Sequence, residues 1–132
     1  MNREKPPETS YWTAQSIDKI AARFNLPNED TMQDWAYEVA DPKRLAAFVA
    51  AYEDYKSEPD IKYTLMDIIL QSLEESSIPL SDSKISRSIR HNLISSFDLH
   101  AYQIWYWSAF DVEKDEAWRI SPFLRKIWND VR

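Results

Sequence analysis

The sequence predicts an all-α fold, a compact orthogonal or bundle-like array of about six helices. Three observations predict it. Apolar residues return every three to four positions along most of the 132-residue chain. Asp41-Pro42 and Ser121-Pro122 pair a capping residue with a proline, the combination that opens helices. Glycine is absent, which removes the residue that two-residue hairpin turns lean on.

The first element is an arm. Met1 to Ser10 is polar, contains Pro6-Pro7 and reads as a flexible N-terminal arm, 1–10, ahead of a single helical domain, 11–132. Ile17, Ile20, Ala21 and Phe24 share the face of a first helix. Leu26-Pro27-Asn28 ends it, and Asn25 can adopt the left-handed conformation that glycine usually supplies. Asp30 is a good N-cap for a second helix whose apolar stripe is Met32, Trp35, Ala36 and Val39. Asp41-Pro42 starts a third, with Leu45, Phe48, Val49 and Tyr52 on one side, running to about Lys56. Ser57-Glu58-Pro59 restarts the chain as a fourth helix, apolar over most of its circumference from Ile61 to Leu73. Such a helix belongs at a buried centre. Asp67 interrupts it, on a face shared with Tyr63, Gln71 and Glu74 that is expected to reach water. After the serine-rich loop Ser76 to Ser83, Asp82 or Ser83 can cap a fifth helix bearing Ile85, Ile89, Leu93 and Phe97. Leu124, Ile127, Trp128 and Val131 mark the last helix.

Leu99 to Ile120 is ambiguous. His100 to Trp107 contains strong helix formers behind an Asp98 cap, yet is aromatic enough for a strand. Helix is the favoured reading. The alternative is an α+β fold with a small hairpin around 99–120.

Composition excludes much of the functional range. Without glycine there is no Walker loop, dinucleotide fingerprint or Gly-x-Ser-x-Gly nucleophile elbow. Without cysteine there are no disulfides, thiolate metal sites or cysteine nucleophiles. That absence fits a reducing compartment, and a cytoplasmic location is expected. The N-terminus lacks the apolar segment of a secretory signal. The longest stretch free of formal charge, Leu99 to Phe110, falls well short of the ~20 residues of a membrane helix. With 16 basic and 22 acidic residues the net charge is −6, which argues against a generic grip on nucleic acid or anionic lipid. The charge is uneven: residues 1–83 carry 8 basic and 16 acidic groups, residues 84–132 carry 8 and 6.

Two constellations point to binding. Asp30, Asp34 and Glu38 fall at i, i+4 and i+8, with no Lys or Arg between Arg23 and Lys43. Tyr52-Glu53-Asp54-Tyr55 adds carboxylates flanked by tyrosines, followed by Glu58 and Asp60. An acidic surface with tyrosines suits docking onto a basic protein. The second constellation is Trp105-x-Trp107. On a helix these point about 200° apart, so the segment is either wholly buried or displays an aromatic residue outward. The ordinary alternative for both is a solvated face and a filled core.

Other readings are weaker. Ile17 to Phe24, Asn25-Leu26-Pro27 and Thr31 to Ala40 have helix-turn-helix lengths, but the second helix carries Asp34 and Glu38, with Gln33 alone as a base reader. Lys84, Arg87, Arg90 and His91 form a short basic stripe on the fifth helix, too sparse for a nucleic-acid site. His91 and His100 are the two histidines, and neither completes a metal-ligand spacing. Asp98 with His100 and Asp115-Glu116 are the nearest approach to an acid–base pair, and no catalytic residue, cofactor or metal is expected. The sequence thus reads as a small protein–protein interaction domain, in the manner of an immunity or inhibitor protein, with Asp30, Asp34, Glu38, Tyr52, Glu53, Asp54, Tyr55, Trp105 and Trp107 as partner-binding candidates. The alternatives are a helix-turn-helix-like regulator and a small metal-free enzyme. Self-association stays open.

Overall fold

The structure, a computed structural model, describes residues 6–8, 12–29 and 32–131. Among the described residues seven α-helices form: α1 Ala14–Phe24, α2 Trp35–Val39, α3 Leu45–Tyr52, α4 Pro59–Glu75, α5 Lys84–Ser95, α6 Phe97–Ser108 and α7 Ser121–Val131. There is no strand among the described residues, so the all-α expectation holds and the hairpin around 99–120 does not. The chain divides into two compact units, the first Ser10–Ser77 and the second Ile78–Arg132 together with Met1–Thr9, and the helices pack within them. Of the expected arm, Pro6–Glu8 alone is described, without regular secondary structure; its other residues lie outside the described ones.

In the first unit α4 packs against α1, α2 and α3. Its Ile61, Leu65, Met66, Ile68, Ile69, Leu70 and Leu73 are buried, as a helix apolar nearly all round requires. The face expected to reach water does so in part: Asp67, Gln71 and Glu74 are half-buried, while Tyr63 is buried. Asp67 also accepts a hydrogen bond from the Trp12 indole N–H, a donor 55 residues away in sequence, which adds to what water supplies to this carboxylate.

Thr13 and Ser16 cap α1 reciprocally: the Ser16 N–H donates to Thr13 Oγ1 at 2.9 Å, the Thr13 N–H to Ser16 Oγ at 3.1 Å. The buried Ser16 hydroxyl also shares a 2.8 Å hydrogen bond with Thr64 Oγ1 of α4. Asn25 ends α1 at φ 55°, left-handed as expected. The carbonyl of Phe24 accepts from Arg44 Nη2 at 2.8 Å, and the same guanidinium lies 5.4 Å and 5.7 Å from the Phe24 and Phe48 ring centroids.

The second helix is shorter than its spacing predicts. It starts at Trp35, not after Asp30, because Asp34 has ψ 73° and breaks the helical path. Glu38 reaches back to accept the Asp34 N–H at 3.2 Å. Trp35, Ala36 and Val39 are buried, and the Trp35 indole N–H donates to the Pro27 carbonyl at 2.8 Å. Asp41 behaves as predicted, its carboxylate accepting the Lys43 N–H at 2.9 Å ahead of a 3-10 turn, Pro42–Arg44. The α3 segment then tightens into a second 3-10 turn, Glu53–Tyr55, instead of continuing as α-helix to Lys56.

In the second unit α6 packs against α7, and both contact α5. Ser83, the second of the two cap candidates, accepts the Ser86 N–H at 3.1 Å. Ile89 and Leu93 are buried beneath α5. Phe97 opens α6 rather than closing α5. Its ring and that of Phe110 lie 5.9 Å and 6.0 Å from Trp128 of α7. Asp98 sits in the first turn of α6, not at its cap, where its charge still favours the helix N-terminus. Ser121 departs from its expected capping role: its buried hydroxyl donates to the Trp107 carbonyl at 2.7 Å.

The chain leaves α6 through Ala109 at φ 51°, a left-handed conformation that costs an L-residue of this kind about 1 kcal/mol. Ala109→Gly is therefore expected to raise stability by about 1 kcal/mol in urea denaturation. An unchanged or lowered midpoint contradicts the assignment of strain to this position.

Candidate functional site

The described acidic candidates of the first unit, Asp34, Glu38, Glu53 and Asp54, fall into two exposed turns. In the first, Asp34 precedes α2 and Glu38 lies within it, both exposed. Between them stands Tyr37, 59% exposed, which sequence reasoning misses because its neighbours Trp35, Ala36 and Val39 carry the periodicity. Asp30, predicted to extend this face, lies outside the described residues. The short helix means that Asp34 and Glu38 are brought together by a cap, not by a helical stripe.

The second turn is Glu53–Tyr55 with its flanks. Glu53 and Asp54 are exposed, and Tyr55 is half-buried. Tyr52 is only 4% exposed: it points inward at the end of α3, with Lys62 Nζ 5.4 Å from its ring centroid, and offers nothing to a partner. Arg23 Nη2 pairs with Asp54 at 2.8 Å, and Arg23 Nη1 donates to the Tyr55 hydroxyl at 3.2 Å. Those two hydrogen bonds, Tyr55 first and then Asp54, raise the Arg23 pKa further above its ordinary value. Lys19 likewise pairs with Glu58 at 3.2 Å. Both pairs are exposed, so each stabilises by a few tenths of a kcal/mol at most and can open to another charge.

The second unit carries the tryptophans. Trp107 is 8% exposed and Trp105 half-buried, so neither displays its full face. The ring turned outward is the one between them, Tyr106, 47% exposed. Trp118, 37% exposed, stacks at 5.2 Å from Tyr106 and 4.7 Å from Trp107. Tyr102 lies 5.7 Å from Trp105 and 6.3 Å from Tyr106. Sequence spacing finds the α6 members of this cluster but cannot find Trp118, which arrives from beyond the loop.

Arg125 holds that loop. Its Nε donates to the Ser108 carbonyl at 2.6 Å, and its Nη2 to the Ala109 carbonyl at 2.6 Å and the Val112 carbonyl at 3.1 Å. The guanidinium also lies 5.8 Å from the Phe110 ring centroid. One cation thus closes the end of α6 and fixes the first residues of the loop leading to Trp118.

The remaining candidates are dispersed. His100 is fully buried, with Nδ1 2.6 Å from Gln103 Oε1, whereas Asp98 is exposed, so the two do not meet. His91 is exposed on α5. In the basic stripe Arg87 pairs with Asp82 at 3.1 Å and Arg90 with Asp130 at 2.9 Å. The Arg90 hydrogen bond, with help from Lys126, holds the Asp130 carboxyl below its ordinary pKa. Both arginines of the stripe are thus engaged locally. The second helix of the helix-turn-helix reading is five residues long and exposes Tyr37 and Glu38, which does not favour groove reading. No group of three or more His, Asp or Glu among the described residues is placed to hold a metal, and no helix among them is long and apolar enough to cross a membrane. Comparison with models of known protein families, with curated proteins and with solved structures finds no match.

Arg125→Met keeps the aliphatic packing and removes the charge-assisted donors. It is expected to cost about 2 kcal/mol and to increase amide hydrogen exchange across 109–118 more than elsewhere. Unchanged exchange in that loop contradicts the clamp.

Proposed function

We propose that the protein is a protein–protein interaction domain that docks an acidic, tyrosine-bearing surface of its first unit onto a basic protein partner. The observation that carries the reading is the exposed turn Asp34–Tyr37–Glu38, in which a tyrosine 59% exposed stands next in sequence to one exposed carboxylate and three residues from another. Charge distribution supports it. Residues 10–77 hold 13 Asp and Glu against 6 Lys and Arg, a net −7, while residues 78–132 hold 7 against 8, a net +1. The acidity of the chain is concentrated in the unit that carries both candidate turns.

The chemistry is that of an occluding surface. Carboxylates placed where a basic partner expects phosphates or acidic substrate steer encounter and set register, and an exposed aromatic ring supplies apolar contact on arrival. Glu53, Asp54 and Tyr55 form the second acidic turn offered to the partner, with Arg23 and Lys19 as local counter-charges that a partner's cations can displace. Tyr52, being buried, takes no part in it. The composition, free of cysteine, suits a cytoplasmic setting.

The test is charge reversal. The immobilised chain is expected to retain one basic protein from host extract. The combined variant Asp34→Lys, Glu38→Lys, Glu53→Lys, Asp54→Lys is expected to lose that retention with its circular dichroism unchanged, as is the native chain in about 0.5 M salt. Retention indifferent to both changes contradicts electrostatic docking.

A further inference from the structure

The second unit holds a surface that the acidic docking surface does not use. Tyr106, Val112 and Trp118 are three of the five large hydrophobic side chains exposed among the described residues, and all three belong to the end of α6 and the loop after it. Tyr102 and Trp105 extend the patch as half-buried rings. The ring centroids lie 4.7 to 6.3 Å apart. That spacing is ring-on-ring packing, too close to admit a group between rings. The cluster is therefore not a cage, and a ligand must lie against the exposed parts of Tyr106 and Trp118.

The loop joining the platform's two sides is acidic. Asp111, Glu113, Asp115 and Glu116 are exposed, with Lys114 as the one cation among them. The 3-10 turn Lys114–Glu116 ends two residues before Trp118. At its other end Arg125 fixes the carbonyls of Ala109 and Val112. The carboxylates thus stand on a loop whose start is clamped and whose end is carried by a stacked tryptophan, which reduces the ordering cost of binding.

We infer that the aromatic platform Tyr102–Trp105–Tyr106–Trp118, with the acidic loop 111–116 beside it, binds an arginine-bearing peptide segment of a partner. Guanidinium is the group that satisfies both halves. It is planar and weakly hydrated, so it stacks flat on Trp and Tyr, and its edge donors match carboxylates. Ammonium, a strongly hydrated point charge, gains less from a platform with no enclosed slot. This surface lies in a different unit from the Asp34–Glu38 turn, so its success or failure is read separately from that of the proposed function.

The probe is an amidated tri-arginine peptide titrated into the full chain, followed by tryptophan fluorescence and calorimetry. Tri-lysine, a neutral tri-citrulline peptide and maltotriose serve as comparisons. Tri-arginine is expected to bind about 5-fold more tightly than tri-lysine. The variant Asp111→Asn, Asp115→Asn, Glu116→Gln alters only exposed side chains and is expected to weaken tri-arginine by about 5-fold or more, as is Trp118→Leu. Trp118→Phe, which keeps a ring, restores most of the affinity and guards against a folding defect in the leucine variant. The inference is overturned by tri-arginine failing to bind, by equal affinity in the loop variant, by maltotriose or tri-citrulline binding as well as tri-arginine, or by ultracentrifugation showing that the free chain dimerises through Trp118.

Discussion

The guanidinium of Arg125, donating to the carbonyls of Ser108, Ala109 and Val112, closes a helix at the point where the backbone reverses through a left-handed alanine. A chain without glycine must make every such reversal with a side chain in the way. The structure has two positive-φ residues among those described, Asn25 and Ala109, and each stands at a helix C-terminus. In both units an arginine from elsewhere in the chain caps the carbonyls there: Arg44 at Phe24, Arg125 at Ser108 and Ala109. The cation opposes the negative end of the helix dipole and supplies charge-assisted hydrogen bonds. Each guanidinium also lies against phenylalanine rings, Phe24 and Phe48 in one unit and Phe110 in the other. The strain of the turn is offset by contacts that also lock the next stretch of chain.

That locking links fold to surface. In the second unit the clamp fixes the start of the loop whose far end carries Trp118 onto Tyr106 and Trp107. In the first unit, burial of Trp35 and its hydrogen bond to the Pro27 carbonyl hold α2 down, so that the residues between its buried positions, Tyr37 and Glu38, face outward. Within residues 10–77, Arg44 serves as a clamp and Arg23 and Lys19 are paired with Asp54 and Glu58, which leaves few cations to neutralise the other exposed carboxylates of this unit. The acidic character of residues 10–77 is therefore expressed at the surface.

Much of the architecture is legible in the sequence for a simple reason: helix starts and stops are local. Asp41, Ser83, Pro59 and Asn25 act where their residue types predict, because a cap or a proline needs only its next few neighbours. The features hidden from the sequence are set at long range. The hydrogen bond from Trp12 to Asp67 and the donation of Ser121 to Trp107 each join residues on different elements. The site divides in the same way. Asp34, Glu38, Glu53 and Asp54 are exposed, as expected of charge runs visible in one dimension. Tyr52 belongs to the apolar face of α3 and is buried with it, as the helical spacing expects, so grouping it with its acidic neighbours as a partner residue places it wrongly outward. Tyr37 goes unseen although its place off the Trp35–Ala36–Val39 stripe puts it on the outer face of α2, and Trp118 goes unseen because no helical periodicity surrounds it.

The central claim is that the carboxylates of the first unit, and not the cations of α5, meet the partner. Backbone amide chemical shifts of the full chain, recorded with and without the basic protein that the proposal expects it to retain, test this most directly. The account predicts shifts concentrated at 34–38 and 53–58. Shifts confined to 84–91, with the two acidic turns silent, would contradict it.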